Sequence, residues 1–193
     1  QLTLMGGSII DIAGALPTPT VVTLPETTDG EIERFEGMLV AIQATDPDNT
    51  MTVSQNFFLG RYGQLTLSSP DDNNVPGRLF NPTNQFEPES PEAIALADEN
   101  ARRLLVLDDT FDFSPFGDNP VPVPYLGPAG SQIVLRAGDT VHNLVGVLDQ
   151  GRINSSFSSP GIEYRLQPTE EPEFFIGNER TAAPLVARRI GPA

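Results

Sequence analysis

The sequence predicts a mainly β chain with one short helix and a long extended N-terminal arm. Three observations carry this reading. Glycine (17) and proline (19) recur along the whole of the 193 residues, and such punctuation suits many short strands better than long helices. Between these breaks the apolar residues fall in short alternating runs. A helix start signal coincides with helical spacing at one place only, after Ser90.

The elements follow in order. Residues 1 to 30 read as the arm. Leu2 and Leu4, then Ile9, Ile10 and Ile12, alternate like strand residues, with Gly6-Gly7 and Gly14 as breaks. Residues 16 to 25 form a polyproline-like or edge-strand connector. The arm holds too few apolar residues for a core of its own and must pack on something else. Residues 31 to 43 make a long strand candidate through Phe35, Met38, Val40 and Ile42, with Gly37 at a bend. Met51 to Gln55 and Gly63 to Leu67 are the next two strands. A polar loop follows, then an irregular stretch to Ser90.

Ser90 is the N-cap of the helix, Pro91 its first residue, and Glu92 suits the positive end of the dipole. Ile94, Ala97, Ala101 and Leu104 share one helical face. Leu104 to Leu107 resumes a strand. A long loop rich in Pro, Asp and aromatic residues runs from Asp108 to Gly130. Ile133 to Arg136, Asp139 to Leu148 and Ile162 to Gln167 are closing strands, and Phe174 to Ile176 adds an edge. Residues 31 to 177 thus form the domain, and 178 to 193 a linker or tail. About five strands with one helix inserted between the third and fourth is the layout of an oligonucleotide/oligosaccharide-binding (OB) barrel.

Composition narrows the function. The formal net charge is -15, the pI about 4.2, and all 11 basic residues are Arg. Such a surface repels phosphate backbones and suits divalent cations. The absence of Cys excludes disulfides, thiolate metal sites and Cys nucleophiles. No apolar run approaches the length of a membrane span.

Several blocks carry a resemblance. They are Arg61-Tyr62-Gly63-Gln64-Leu65-Thr66-Leu67, Gly77-Arg78-Leu79-Phe80-Asn81-Pro82-Thr83, Asn100 to Asp109, Leu135 to Val141 and Gly146 to Asp149. In this order they resemble the OB-like, non-catalytic region ahead of the catalytic domain in secreted bacterial nucleases of the endonuclease/exonuclease/phosphatase type. The resemblance implies an OB-like barrel and an extracellular setting. It implies no activity for these residues, because fold-level analogy does not establish function. The catalytic domain of that family brings paired His residues and metal-binding carboxylates, whereas His142 is the single His here. This chain is therefore expected not to be an enzyme. Gln1 to Asp11 resembles the last strand of a preceding barrel.

Four sets of residues are candidates for function. The arm residues Leu2, Leu4, Ile9, Ile10 and Ile12 can add as a strand to an adjacent domain or to another copy of the chain. Head-to-tail addition of that kind grows a filament. Phe111, Phe113, Phe116 and Tyr125 sit in a loop too apolar to float free, so it caps the barrel or forms a contact surface. Arg61, Tyr62, Arg78 and Phe80 combine cations with flat rings, as single-stranded nucleic acid requires; the alternative is core aromatics beside solvated arginines. Asp46, Asp48 and Asn49, then Asp71 and Asp72 with their Asn neighbours, then Asp108, Asp109 and Asp112, place hard oxygens at Ca²⁺-binding spacing. Asp and Asn are equally good turn formers. The leading expectation is a non-catalytic, secreted structural or interaction module that assembles with itself by N-terminal strand addition. The alternative is an accessory nucleic-acid-binding module of a secreted nuclease.

Overall fold

The computed structural model describes residues 17–109, 122–153 and 162–177. Nine strands in these segments make one sheet. They are β1 (Thr20–Leu24), β2 (Leu39–Ala44), β3 (Met51–Gln55), β4 (Leu65–Ser68), β5 (Leu104–Leu107), β6 (Thr140–His142), β7 (Val145–Arg152), β8 (Ile162–Pro168) and β9 (Glu173–Phe175). Their order across the sheet is β1-β2-β7-β8-β5-β4-β3-β6-β9. The β1–β2 and β5–β8 pairs are parallel and the others antiparallel. Two α-helices, α1 (Leu59–Tyr62) and α2 (Pro91–Arg103), interrupt the strands. The chain is thus mainly β, but among the described residues the sheet is open and does not close into a barrel: β1 and β9 each have one described neighbour.

Period-two patterning builds the core. Val22 and Leu24 of β1, and Val40, Ile42 and Ala44 of β2, point inward and are buried. β4 and β5 lie mid-sheet, where Leu65, Leu67, Leu105, Val106 and Leu107 are fully buried. Gly146 lets β7 approach β8, since a Cβ there would fall 2.3 Å from the Gln167 carbonyl oxygen.

Of the two readings of residues 16 to 25 the edge strand holds, with Thr20–Leu24 registered residue by residue against Val40–Ala44; elsewhere the structure departs from the expected elements. Part of the expected arm therefore belongs to the sheet. Glu31–Phe35 is a 3₁₀ turn and not the start of a strand. Gly30 enters it with φ 82°, and the Glu26 carboxylate accepts the Ile32 N–H at 3.2 Å, so local turn bonds win over alternation. Ile133 to Arg136 forms no strand. The Leu135 carbonyl accepts from Asn56 Nδ2 at 2.7 Å and the Arg136 N–H donates to Asp139 Oδ2 at 2.7 Å, which removes groups a ladder would need.

Helix α2 begins as expected, with Ser90 Oγ accepting the Ala93 N–H at 3.1 Å and Pro91 in its first turn. Its inward face differs. Ile94 is 62% exposed, while Ala93 and Arg103 are buried. Arg103 donates to the Ser69 carbonyl at 3.0 Å and the Gly77 carbonyl at 3.0 Å. The helix is fastened by a buried guanidinium where an apolar stripe was expected.

Candidate functional site

The two sheet edges differ in what their backbones present. In a β-strand, the N–H and C=O of one residue point to the same side, and successive residues alternate. The Leu24 carbonyl accepts from the Thr45 N–H at 3.1 Å, so Leu24, Val22 and Thr20 face β2. Val21 and Thr23 therefore turn their N–H and C=O groups outward. Among the described residues no backbone partner meets them. The flanking positions of the same parity are Pro19 and Pro25, which have no N–H. Val21 is 57% exposed, and residues 17 to 25 contain no charged side chain.

At the opposite edge, the Val53 N–H donates to the Asp139 carbonyl at 2.8 Å. Thr140 and His142 then face β9, where they register with Phe175 and Glu173. Within β9 only Phe174 faces outward. Phe175 and Ile176 are each 48% exposed, and the His142 ring meets Phe175 edge-on at 4.8 Å. Glu173 begins the strand, its carboxylate accepting from Asn143 Nδ2 at 3.0 Å, and Glu170 and Glu171 precede it.

The cation and ring set forms two local pairs. The Arg61 guanidinium carbon lies 5.2 Å from the Tyr62 ring centre on α1, and that of Arg78 lies 5.3 Å from the Phe80 ring. Phe80 is partly exposed. Phe57, at the end of β3, is 77% exposed and packs edge-on against Phe58 at 5.1 Å; Phe58 in turn touches Tyr62 at 5.9 Å.

The acidic turns hold their own backbones. Asp46 Oδ1 accepts the Thr50 N–H at 2.7 Å and Asn49 Oδ1 the Ala44 N–H at 2.6 Å. Asp48 is exposed in the same turn. Asp71 Oδ1 accepts the N–H groups of Asn73 and Val75, both at 2.9 Å. Asp72 takes a fork from Arg102 at 3.0 and 2.8 Å, and that hydrogen-bonded cation holds its carboxyl below the usual range. Among the described residues no three His, Cys, Asp or Glu side chains gather as a metal site.

Asp108 and Asp109 are buried. Arg165 on β8 donates to Asp108 Oδ2 at 2.9 Å and grips Asp149 of β7 at 3.1 and 2.7 Å. Gln64 Nε2 adds a bond to Asp108 Oδ2 at 2.9 Å. Gly151 makes room for this guanidinium: a Cβ there would lie 2.2 Å from its central carbon. The Asp109 carboxylate sits over Gly63, and Tyr125 donates its O–H to the Gly63 carbonyl at 2.5 Å. Burial, then the nearby Asp109 and Asp108, push the Tyr125 phenol well above its ordinary value. Tyr125 packs in the core, 5% exposed, and not on a surface open to a partner. Leu2, Leu4, Ile9, Ile10, Ile12, Phe111, Asp112, Phe113 and Phe116 lie outside the described residues.

Comparison with known proteins returns no match: no family model, no curated protein and no solved structure resembles the chain significantly. The reading of function therefore rests on the geometry. Sequence reasoning missed two features. The outward parity of Val21 and Thr23 becomes visible only once Leu24 is seen to face β2. Nothing local joins Asp108 to Arg165, which is 57 positions away. The exposure of Phe57 had one available signal, the doublet Phe57-Phe58 directly after a strand.

Proposed function

We propose that this chain is a non-catalytic structural or interaction module that assembles with copies of itself by adding strands to its open sheet. The observation that carries this reading is the outer edge of β1, which leaves the Val21 and Thr23 backbone groups unmatched among the described residues. An unmatched edge is a template for a further strand. In head-to-tail assembly the added strand comes from the arm, with Leu2, Leu4, Ile9, Ile10 and Ile12 as anchors. An extracellular setting follows from the resemblance to secreted nucleases. The OB-like reading draws support from the strand order. If β2 and β3 are two halves of one bent strand, the sequence β2-β7-β8-β5-β4-β3, with its parallel β5–β8 pair, follows the circuit of such a barrel, although α2 then falls between its second and third strands and not between the third and fourth. Negative-stain electron microscopy of the chain with and without residues 1 to 15 tests the assembly reading. Ordered filaments that vanish on deletion are expected. Dispersed particles in both samples overturn growth through the arm, and dispersed monomers overturn self-assembly altogether.

The second reading is an accessory module that holds single-stranded nucleic acid on Arg61, Tyr62, Arg78 and Phe80. It is favoured by the two arginine–ring pairs and by the exposed Phe57, which reaches Tyr62 through Phe58, because base stacking needs rings that solvent reaches. The net charge of -15 opposes it. Titration with single-stranded DNA over a salt series decides: binding that weakens steeply with salt supports it, and no binding at low salt removes it.

A further inference from the structure

We infer that β1 is a self-complementary edge, and that two copies of the chain join through antiparallel β1–β1 pairing about a twofold axis at Val22. This rests on the self-assembly reading and on the same β1 edge, and names a second β1, in place of the arm, as the strand that fills it. The argument is a matching of donors and acceptors. Among the described residues the outer edge leaves the N–H and C=O of Val21 and of Thr23 without a backbone partner. In an antiparallel pair, two residues opposite each other exchange both of their hydrogen bonds. With the axis at Val22, Val21 of one copy lies opposite Thr23 of the other, and Thr23 opposite Val21. All four outward groups of each copy are then matched.

Other registers do worse. An axis at Val21 pairs Val21 with its own copy and sets Thr23 against Pro19, which has no N–H. An axis at Thr23 sets Val21 against Pro25, with the same loss. The two prolines therefore select one register. Side chains agree with it. Val21 and Thr23 of the two copies meet on the exposed face, as a β-branched cross-strand pair. Charge also agrees. Two chains of net charge -15 repel, yet residues 17 to 25 bring no charge to the junction. The β9 edge has no comparable set, with Phe174 alone facing outward in the strand and Glu170, Glu171 and Glu173 close by.

The test is analytical ultracentrifugation of the full chain, the chain lacking residues 1 to 15, and the variants Val21→Pro and Thr23→Pro. Backbone amide exchange at residues 21 and 23 is followed as concentration rises. Each proline removes an N–H that faces away from β2, a position where an edge strand tolerates it. Folding is checked by circular dichroism. The expected result is a dimer of the 20.8 kDa chain that survives the arm deletion. Either proline weakens it by about tenfold or more, and exchange at both amides slows with concentration in the full chain. Larger assemblies that need the arm and are weakened by either proline overturn the β1 pairing, because the arm then fills the β1 edge, and leave the arm reading intact. A dimer lost in the proline variants, with no arm-dependent species, keeps the pairing and removes head-to-tail growth. A monomer with concentration-independent exchange at residues 21 and 23 overturns both, and the exchange result holds even if a proline variant fails to fold.

Discussion

The β1 and β9 edges end the same sheet and manage their unpaired backbone in different ways. β9 has three residues, one outward backbone pair within the strand, and acidic neighbours. Short length and charge are common protections for an edge strand. β1 has five residues, two outward pairs, and no charge from Pro17 to Pro25. Among the described residues its protection is confined to the prolines at its ends. On the proposed reading the contrast is between a closed edge and one left available, and it turns on a few residues that substitution can exchange.

A large effect belongs to the mid-sheet control on that contrast. Arg165→Ala removes the cation that faces the buried Asp108 carboxylate, which keeps its Gln64 hydrogen bond, and is expected to cost about 3 kcal/mol of stability, read by denaturant melts. An effect under about 1 kcal/mol would mean that the Asp108–Arg165–Asp149 network does not hold β5, β7 and β8 together.

Next comes the parity of β1 itself. Val22→Pro removes an N–H facing β2 together with a core side chain, and is expected to cost about 3 kcal/mol or more. Val21→Pro removes an N–H facing outward and should stay within about 1 kcal/mol of the parent. Equal losses in the two melts would show that the outward assignment of Val21 is wrong.

A smaller effect concerns the exit of β1. The Glu26 carboxyl is raised by its burial, helped by Asp29, against the lowering effect of the Ile32 N–H. The folded state thus holds this proton more tightly than the unfolded chain. The resulting stability is complete below the ordinary value of 4.5 and is lost as pH rises through the window above it. Asp72 behaves in the opposite sense, with stability present above 3.8 and lost as pH falls below it. Glu26→Gln keeps an oxygen for the Ile32 N–H and should flatten the upper limb, raising stability at pH 7 by about 1 kcal/mol or less. A melting series from pH 4 to pH 8 checks it, and an unchanged slope defeats it.

The smallest expected effect is at β9. Phe175→Lys leaves the mass distribution in sedimentation unchanged if β9 is the closed edge, and costs about 0.5 kcal/mol or less in stability. A shift toward monomer would reverse the roles of the two edges. Calcium is the companion control. The oxygens of Asp46, Asn49 and Asp71 already receive backbone N–H groups, so calcium and chelator melts should agree to within about 1 °C.

Much of the fold was legible because it rests on local chemistry. Ser90 and Pro91 announce the start of α2, and alternation marks Val40 and Ile42, or Val147 and the buried Leu148, as strand residues. The edge-strand option for residues 16 to 25 was legible in Pro19 and Pro25 flanking a β-branched run. What escaped depended on distant partners. Ile94 has the right spacing for a buried face, yet the inward direction of α2 is set by where Arg103 finds the Ser69 and Gly77 carbonyls. Residues 31 to 35 enter the strand candidate through the apolar positions from Phe35 to Ile42, but the carboxylate of Glu26 ties their backbone into a turn. At the candidate site, the rings and arginines were legible as residue types, whereas the outward parity of Val21 and Thr23 needed the β1–β2 register.

Pro19 and Pro25 carry one more consequence, which concerns safety in a crowded setting. An uncharged, valine-rich edge is ordinarily a seed for indefinite stacking, since each added strand lengthens the template for the next. Here the row of donors stops after Val21 and Thr23, because the next positions of that parity have no hydrogen to give. A longer foreign strand finds no further donor there, only the proline carbonyls. The same two prolines thus shorten the ladder on which an amyloid-like deposit would have to nucleate.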